Sequence, residues 1–144
     1  MMQSNKPIIF GPNELEHVVD VFYRMREMIQ VFTFTGDLGA GKTTLIKALC
    51  KRWGITQGVT SPTFSYVHIY HINNNQSVYH FDLYRLTSLD EFFEMGFDEF
   101  LYLPHSWAFV EWPAVIKPLL THNVCHITLD YKDDKRIMTY SLAV

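Results

Sequence analysis

Two cysteines, Cys50 and Cys125, are too few for a disulfide framework and read as packing residues. No run of basic residues occurs and the net charge is −3, so the electrostatic footprint of an independent nucleic-acid binder is missing. Any link to RNA is expected to be indirect, through a partner. No apolar stretch approaches the length of a membrane span, and MMQSNKPIIF at the start lacks a signal peptide's apolar core. No membrane contact and a cytoplasmic location are therefore expected. Repeats, linkers and low-complexity segments are absent as well.

What is there suits a folded core. Hydrophobic residues make up 48% of the 144 positions and charged residues 19%, which is ordinary for a globular chain and sufficient for one domain over residues 1–144. The most informative stretch is VFTFTGDLGAGKTTLI, residues 31 to 46. A β-branched and aromatic run, Val31 to Thr35, is followed by a glycine-rich turn and then an apolar helical pattern. Gly36, Asp37, Leu38, Gly39, Ala40, Gly41, Lys42, Thr43 and Thr44 carry the phosphate-loop pattern G-x-x-x-x-G-K-[ST] in its strand-then-helix setting. Glycines at 36, 39 and 41 permit close backbone approach, and the loop amides converge with the helix N-terminus into an anion cradle. Lys42 supplies a point charge for the outer phosphates and the Thr43 hydroxyl a ligand for Mg²⁺. A bound nucleoside triphosphate, ATP or its product ADP, is the expectation.

Taken in order, Asn13 and Glu16 form a capping pair, and Leu15, Val18, Val19, Phe22, Met25 and Ile29 recur at helical spacing over about 13–28. The helix after the phosphate loop runs from Lys42 to Trp53 and stops at Gly54. Residues 63–72 and 77–84 alternate as two strands about an NNNQ turn. Ser88 with Glu91 caps a short helix ending at Gly96, and a second short helix is placed over 97–101. A strand over 107–110 ends at Glu111, Pro113 starts a helix to about Leu120, and 124–131 with 136–142 form a terminal hairpin. The reading is α/β: a P-loop NTPase-like three-layer sandwich with a mostly parallel central sheet and antiparallel hairpin additions.

A phosphate loop needs a carboxylate near Mg²⁺, usually at the end of a neighbouring hydrophobic strand. Glu111, closing WAFVE, and Asp82, closing VYHFD, both qualify. One is expected to help hold the metal while the other orients or deprotonates the attacking water. TSPTF at 60–64 has the hydroxyls of a loop that senses the terminal phosphate, and Arg85 lies within reach of a phosphate but is more often a surface residue. His68, His71 and His80, and then His122, Cys125 and His126, lack the paired spacing of a structural zinc site, so no zinc is expected.

GDLGAGKTT, TSPTFSYVHIY, HFDLYRL and VEWP, in that order along nearly the whole chain, closely resemble the bacterial TsaE family (also called YjeE or YdiB). Members of that family are small ATPases needed to make N6-threonylcarbamoyladenosine in tRNA next to the anticodon. The resemblance implies partnership with the TsaB–TsaD heterodimer, in which TsaD performs the transfer and ATP hydrolysis drives or resets the complex. Carried onto this chain, it places Lys42 on phosphates, Thr43 on Mg²⁺ and Glu111 in the metal-linked role. Asp82 then serves hydrolysis, Thr63 of Ser61 to Phe64 is the switch hydroxyl, and Trp112 follows the glutamate at the nucleotide.

Three other functions compete. A small-molecule kinase also fits the loop, but it needs an acceptor pocket and usually an arginine-rich lid, and only five scattered arginines occur. A GTPase is disfavoured because no N/T-K-x-D motif reads guanine. A nucleotide-binding regulatory subunit without appreciable turnover is the third. No arginine finger is evident in cis, which implies slow hydrolysis by the chain alone and stimulation by a partner.

Overall fold

In Val31–Thr35, side chains alternate between two apolar surroundings, as the two-residue period of a strand requires. Phe32 and Phe34 join one buried cluster while Val31 joins the other. A strand buried on both faces belongs at the centre of a sheet covered on both sides, and that is where it lies. The computed structural model describes residues 2–4, 6–62, 64–73 and 75–144, the first three by backbone alone.

The strands are β1 (Met2–Ser4), β2 (Ile8–Phe10), β3 (Val31–Thr35), β4 (Val67–Asn73), β5 (Gln76–Asp82), β6 (Ser106–Glu111), β7 (Val124–Lys132) and β8 (Lys135–Ala143). They form one eight-stranded sheet in the order β1-β8-β7-β3-β6-β5-β4, with β2 also paired to β8. The centre, β7-β3-β6-β5, is parallel. Antiparallel hairpins extend it at both sides, β4 on β5 and β8 on β7. The expected mixed α/β architecture is therefore present.

Helices α1 (Leu15–Tyr23) and α2 (Lys42–Trp53) cover one face, where Phe22, Leu45, Leu49 and Trp53 pack on Phe32 and Phe109. Helix α3 (Leu89–Glu94) and the 3-10 segments Phe97–Phe100 and Pro113–Leu119 cover the other, through Phe92, Phe97 and Ile116 on Phe81 and Val110. Phe109 meets Trp53, Phe32 and Phe34 edge-on, with ring centroids 5.1, 5.8 and 6.1 Å apart. Such edge-to-face pairs add to the burial of the rings themselves.

Several boundaries differ from the sequence reading for identifiable reasons. The first helix is preceded by a 3-10 turn at Pro12–Glu14, in which Glu14 Oε1 accepts from the Gly11 amide at 3.1 Å. The cap therefore lies on Gly11 and Glu14, not on Asn13 and Glu16, and α1 ends at Tyr23 with turns up to Ile29. Strand β4 begins at Val67, because Tyr66 has φ 66° and its amide closes a turn onto the Pro62 carbonyl at 3.0 Å. The segment after Pro113 is 3-10, and Pro118 within it has no amide to donate. Ser88 caps α3 as expected, its hydroxyl accepting from the Glu91 amide at 3.1 Å. Strands β1 and β2 were not anticipated; at three residues each they carry no period to detect.

Candidate functional site

The parallel order puts the C-terminal ends of β3, β5 and β6 side by side, and the loop after β3 opens beside the other two. Gly36 starts it beneath the Leu129 carbonyl, which would lie 2.6 Å from a Cβ at this position. Gly41 closes it at φ 101°, a left-handed conformation that disfavours any side chain, and caps α2. Leu38, Gly39, Gly41, Lys42, Thr43 and Thr44 face a cleft of about 480 Å³. Gly36 and Asp37 serve it through their carbonyls, and Ala40 is instead packed into the core.

Lys42 is buried at the start of α2. Its ammonium donates to the Gly36 carbonyl and, at 3.0 Å, to the Asp37 carbonyl, and it lies 4.1 Å from the centre of the Trp112 ring. Burial lowers its pKa from the ordinary lysine value, and the carboxylates of Glu111, Asp37 and Asp82 partly oppose that shift. Trp112 reaches this place because its backbone turns left-handed at φ 57°, directly after β6. The Tyr84 ring leans on it with centroids 4.8 Å apart.

Asp82 and Glu111 are register partners on adjacent parallel strands, so both carboxylates emerge on the α2 side of the sheet. Asp82 is held from two directions: Ser61 Oγ donates to Oδ2 at 3.0 Å and the Tyr84 amide to Oδ1 at 3.1 Å. Glu111 is buried, with His80 Nε2 2.8 Å from its Oε2. The Nδ1 atom of His80 is buried without a partner among the described residues, so the ring's contact there is the one its Nε2 makes with Glu111. Both carboxylates, Thr43 and Ser61 open on the cleft, together with Arg85 and Arg136.

Of the residues singled out in the sequence, Lys42, Thr43, Asp82, Glu111 and Trp112 converge on one cavity. Thr63 lies outside the described residues; within its motif, Ser61 is the hydroxyl placed on Asp82. Arg85 lines the cleft with its guanidinium 4.5 Å from the centre of the Phe64 ring. His80 and Arg136 escaped sequence reasoning. The histidine had a detectable signal, since it stands two residues before Asp82 and so shares its face of β5. Arg136 had none, being distant in sequence and outside any motif. The other histidines singled out in the sequence are engaged elsewhere: His126 with Thr33 at 2.8 Å, His71 with Ser77 at 3.0 Å, His68 with the Thr60 carbonyl at 3.2 Å, and His122 stacked on Tyr102.

Chemically, a helix N-terminus and a buried ammonium favour a polyanion. A hydroxyl and two carboxylates offer hard oxygens to a cation of the magnesium type. Among the described residues no group of three or more His, Cys, Asp or Glu is placed to hold an ion unaided. Such a cation would depend on oxygens brought by the anion itself.

Residues 11–138 match the family model described as "Threonylcarbamoyl adenosine biosynthesis protein TsaE". The chain belongs to the TsaE family. A TsaE relative from Rickettsia felis, described as a tRNA threonylcarbamoyladenosine biosynthesis protein, is 36% identical over 107 residues, which are 74% of this chain and 61% of that protein. The Bacillus subtilis TsaE is 33% identical over 132 residues, 91% of this chain and 81% of that protein. The crystal structure of Bacillus subtilis YdiB superposes with a TM-score of 0.73 at 27% identity, covering all of this chain and 88% of that one. The chain thus spans about three fifths of the Rickettsia felis TsaE it matches. No helix among the described residues is long and apolar enough to cross a membrane.

Proposed function

We propose that this TsaE-family chain is a magnesium-dependent ATPase required for N6-threonylcarbamoyladenosine formation in tRNA next to the anticodon. Its hydrolysis drives or resets the TsaB–TsaD complex, and tRNA is met only through that complex. The observation that carries the reading is the meeting of Lys42, Asp82 and Glu111 in one cleft at the mouth of a phosphate loop.

Lys42 now rests on two backbone carbonyls and would exchange them for phosphate oxygens, with the first amides of α2 completing the cradle. Thr43 and Glu111 would hold Mg²⁺, which when bound supplies charge neutralisation between the outer phosphates. His80 keeps the Glu111 carboxylate oriented by its hydrogen bond. Asp82, tied to Ser61 on the adjoining loop, would accept a hydrogen bond from the attacking water and take up its proton. Attack at the terminal phosphorus forms one P–O bond and breaks another, releasing ADP and inorganic phosphate. The bond between Ser61 and Asp82 makes the 60–62 segment sensitive to what occupies the cleft. A second cavity of about 190 Å³ adjoins the loop at Gly41 and Thr44 and is lined by Phe10, Leu15, Leu129 and Tyr131. Its size and apolar walls suit a planar base.

The rim favours a partner. Leu38, Phe64 and Tyr84 are large apolar side chains left exposed around the cleft, Leu38 by 74% and Phe64 by 82%. A protein seated there would sense the nucleotide and close the site to bulk solvent around the attacking water. A pull-down with the TsaB–TsaD pair in ATP, in ADP and without nucleotide tests this directly. Retention that changes with the nucleotide is expected; no retention under any condition contradicts the partnership. ATP-dependent phosphorylation of a small acceptor would instead support a kinase.

A further inference from the structure

We infer that Arg136, on the terminal hairpin, is a nucleotide-binding residue that holds the phosphate next to the nucleoside, a role that rests on the triphosphate reading of the cleft. Arg136 stands near the start of β8, in register with Tyr131 of β7 and Phe10 of β2. Its guanidinium folds over the Tyr131 ring, 4.0 Å from the centroid. Its Nε lies 2.7 Å from where a Cβ on Gly41 would stand. The side chain therefore rests against Gly41 of the phosphate loop, in space that a side chain at that position would contest.

The N-terminus of α2 carries partial positive charge and Lys42 adds a full one nearby. Asp82 and Glu111 in the cleft and Asp134 in the smaller cavity offset part of it without forming an ion pair to the Arg136 guanidinium. Arg24 and Arg52 both pair with Asp20, at 2.7 and 3.4 Å. Arg136 makes no ion pair among the described residues. It is half-buried and positioned by an aromatic platform, which limits the ordering that binding would cost. A planar fork of donors suits two oxygens of one phosphate.

The two cavities say which phosphate. Arg136 lines both the phosphate cleft and the smaller apolar cavity, and among the described residues only Gly41, Thr44 and Arg136 are common to the two. It thus stands at the junction between base and polyphosphate, whereas Lys42, set among the carboxylates, serves the far end. A chain segment remote in sequence thereby reports whether a nucleotide is present.

Calorimetric titration of ATP and of ADP tests this in the wild-type chain, Arg136→Met, Arg136→Lys and Lys42→Ala. Arg136→Met is expected to weaken both nucleotides about tenfold or more and by the same factor, since both carry the phosphate in question. Arg136→Lys falls between it and wild type. Unchanged affinity in Arg136→Met beside a tightly binding wild type overturns the inference while leaving the phosphate-loop reading intact; so does an effect on ATP alone. A wild type that binds neither nucleotide overturns both. Because substitution can disturb the hairpin, the unsubstituted chain supplies a second readout. With an arginine-selective dicarbonyl reagent and peptide mapping, ATP should protect Arg136 and leave exposed Arg24 equally reactive. Equal modification of Arg136 with and without ATP contradicts the inference.

Discussion

At the scale of single residues, Lys42 has the least ordinary surroundings. It is buried with only carbonyl oxygens and an aromatic face as immediate partners, and burial lowers its pKa. A bound polyphosphate favours the charged form and raises that pKa again. Between the free and bound values, binding must take up a proton, so affinity falls as pH rises through the lowered free-state pKa. Titrations at alkaline pH in buffers of different ionisation heat should register this uptake. Affinity that stays flat up to the ordinary lysine range contradicts it. Asp82 makes the complementary case: it is held by Ser61 and Tyr84 and has no direct bond to Lys42. Asp82→Ala should lower kcat about a hundredfold or more while changing ATP affinity much less, the mark of a group acting on water. Equal loss of binding and turnover would assign it to the cradle instead.

At the scale of elements, strands β5 and β6 deliver their carboxylates as a pair because they are parallel and in register. The His80–Glu111 bond ties the two strands one layer deeper. His80→Phe leaves a buried carboxylate unpaired and should cost about 1–3 kcal/mol in denaturant unfolding, with His80→Gln recovering part of that stability through its amide donor. Identical stability in both variants would show the bond to be idle. Gly36→Ala should be destabilising too, since the Leu129 carbonyl occupies the space of its Cβ.

The same elements explain what sequence reasoning reaches. The phosphate loop is legible because its chemistry is local: strand, turn, ammonium and helix fall within residues 31–46. Asp82 and Glu111 are legible as polar ends of apolar runs. The His80–Glu111 bond and the approach of Arg136 to Gly41 depend on strand order, which no local pattern encodes. The start of β4 was misplaced because alternation in TFSY continues through a left-handed Tyr66 that ends the turn. The short edge strands β1 and β2 exist only because β8 offers them an edge.

At the scale of the whole molecule, the packed core and the end of the sheet that carries the cleft differ. Under α1 and α2 the core is an aromatic lattice around a fully buried Phe109. Phe109→Ala should cost about 3–5 kcal/mol, read as a shift of the denaturant midpoint. Cys50 and Cys125 lie in that layer, and burial pushes both thiols up to about 12. They should resist thiol reagents in the native protein and react on unfolding; rapid labelling of the folded chain would contradict their burial. The opposite end is open, with apolar side chains around the cleft of the glycine-rich loop. Two arginines reach that cleft. Arg85 is occupied by Phe64, and Arg136 rests on Tyr131 and on the proposed assignment would serve the nucleoside end, so neither would be set at a terminal phosphate. That arrangement accords with slow hydrolysis until a partner completes the site.

The most direct measurement is the rate of ATP hydrolysis by the purified chain with Mg²⁺, alone and with the TsaB–TsaD pair, with Lys42→Ala as control. A slow basal rate that rises at least tenfold with the pair, and vanishes in Lys42→Ala, is the result expected of an ATPase that drives an assembly. Rapid hydrolysis by the chain alone, unchanged when the pair is added, would contradict it.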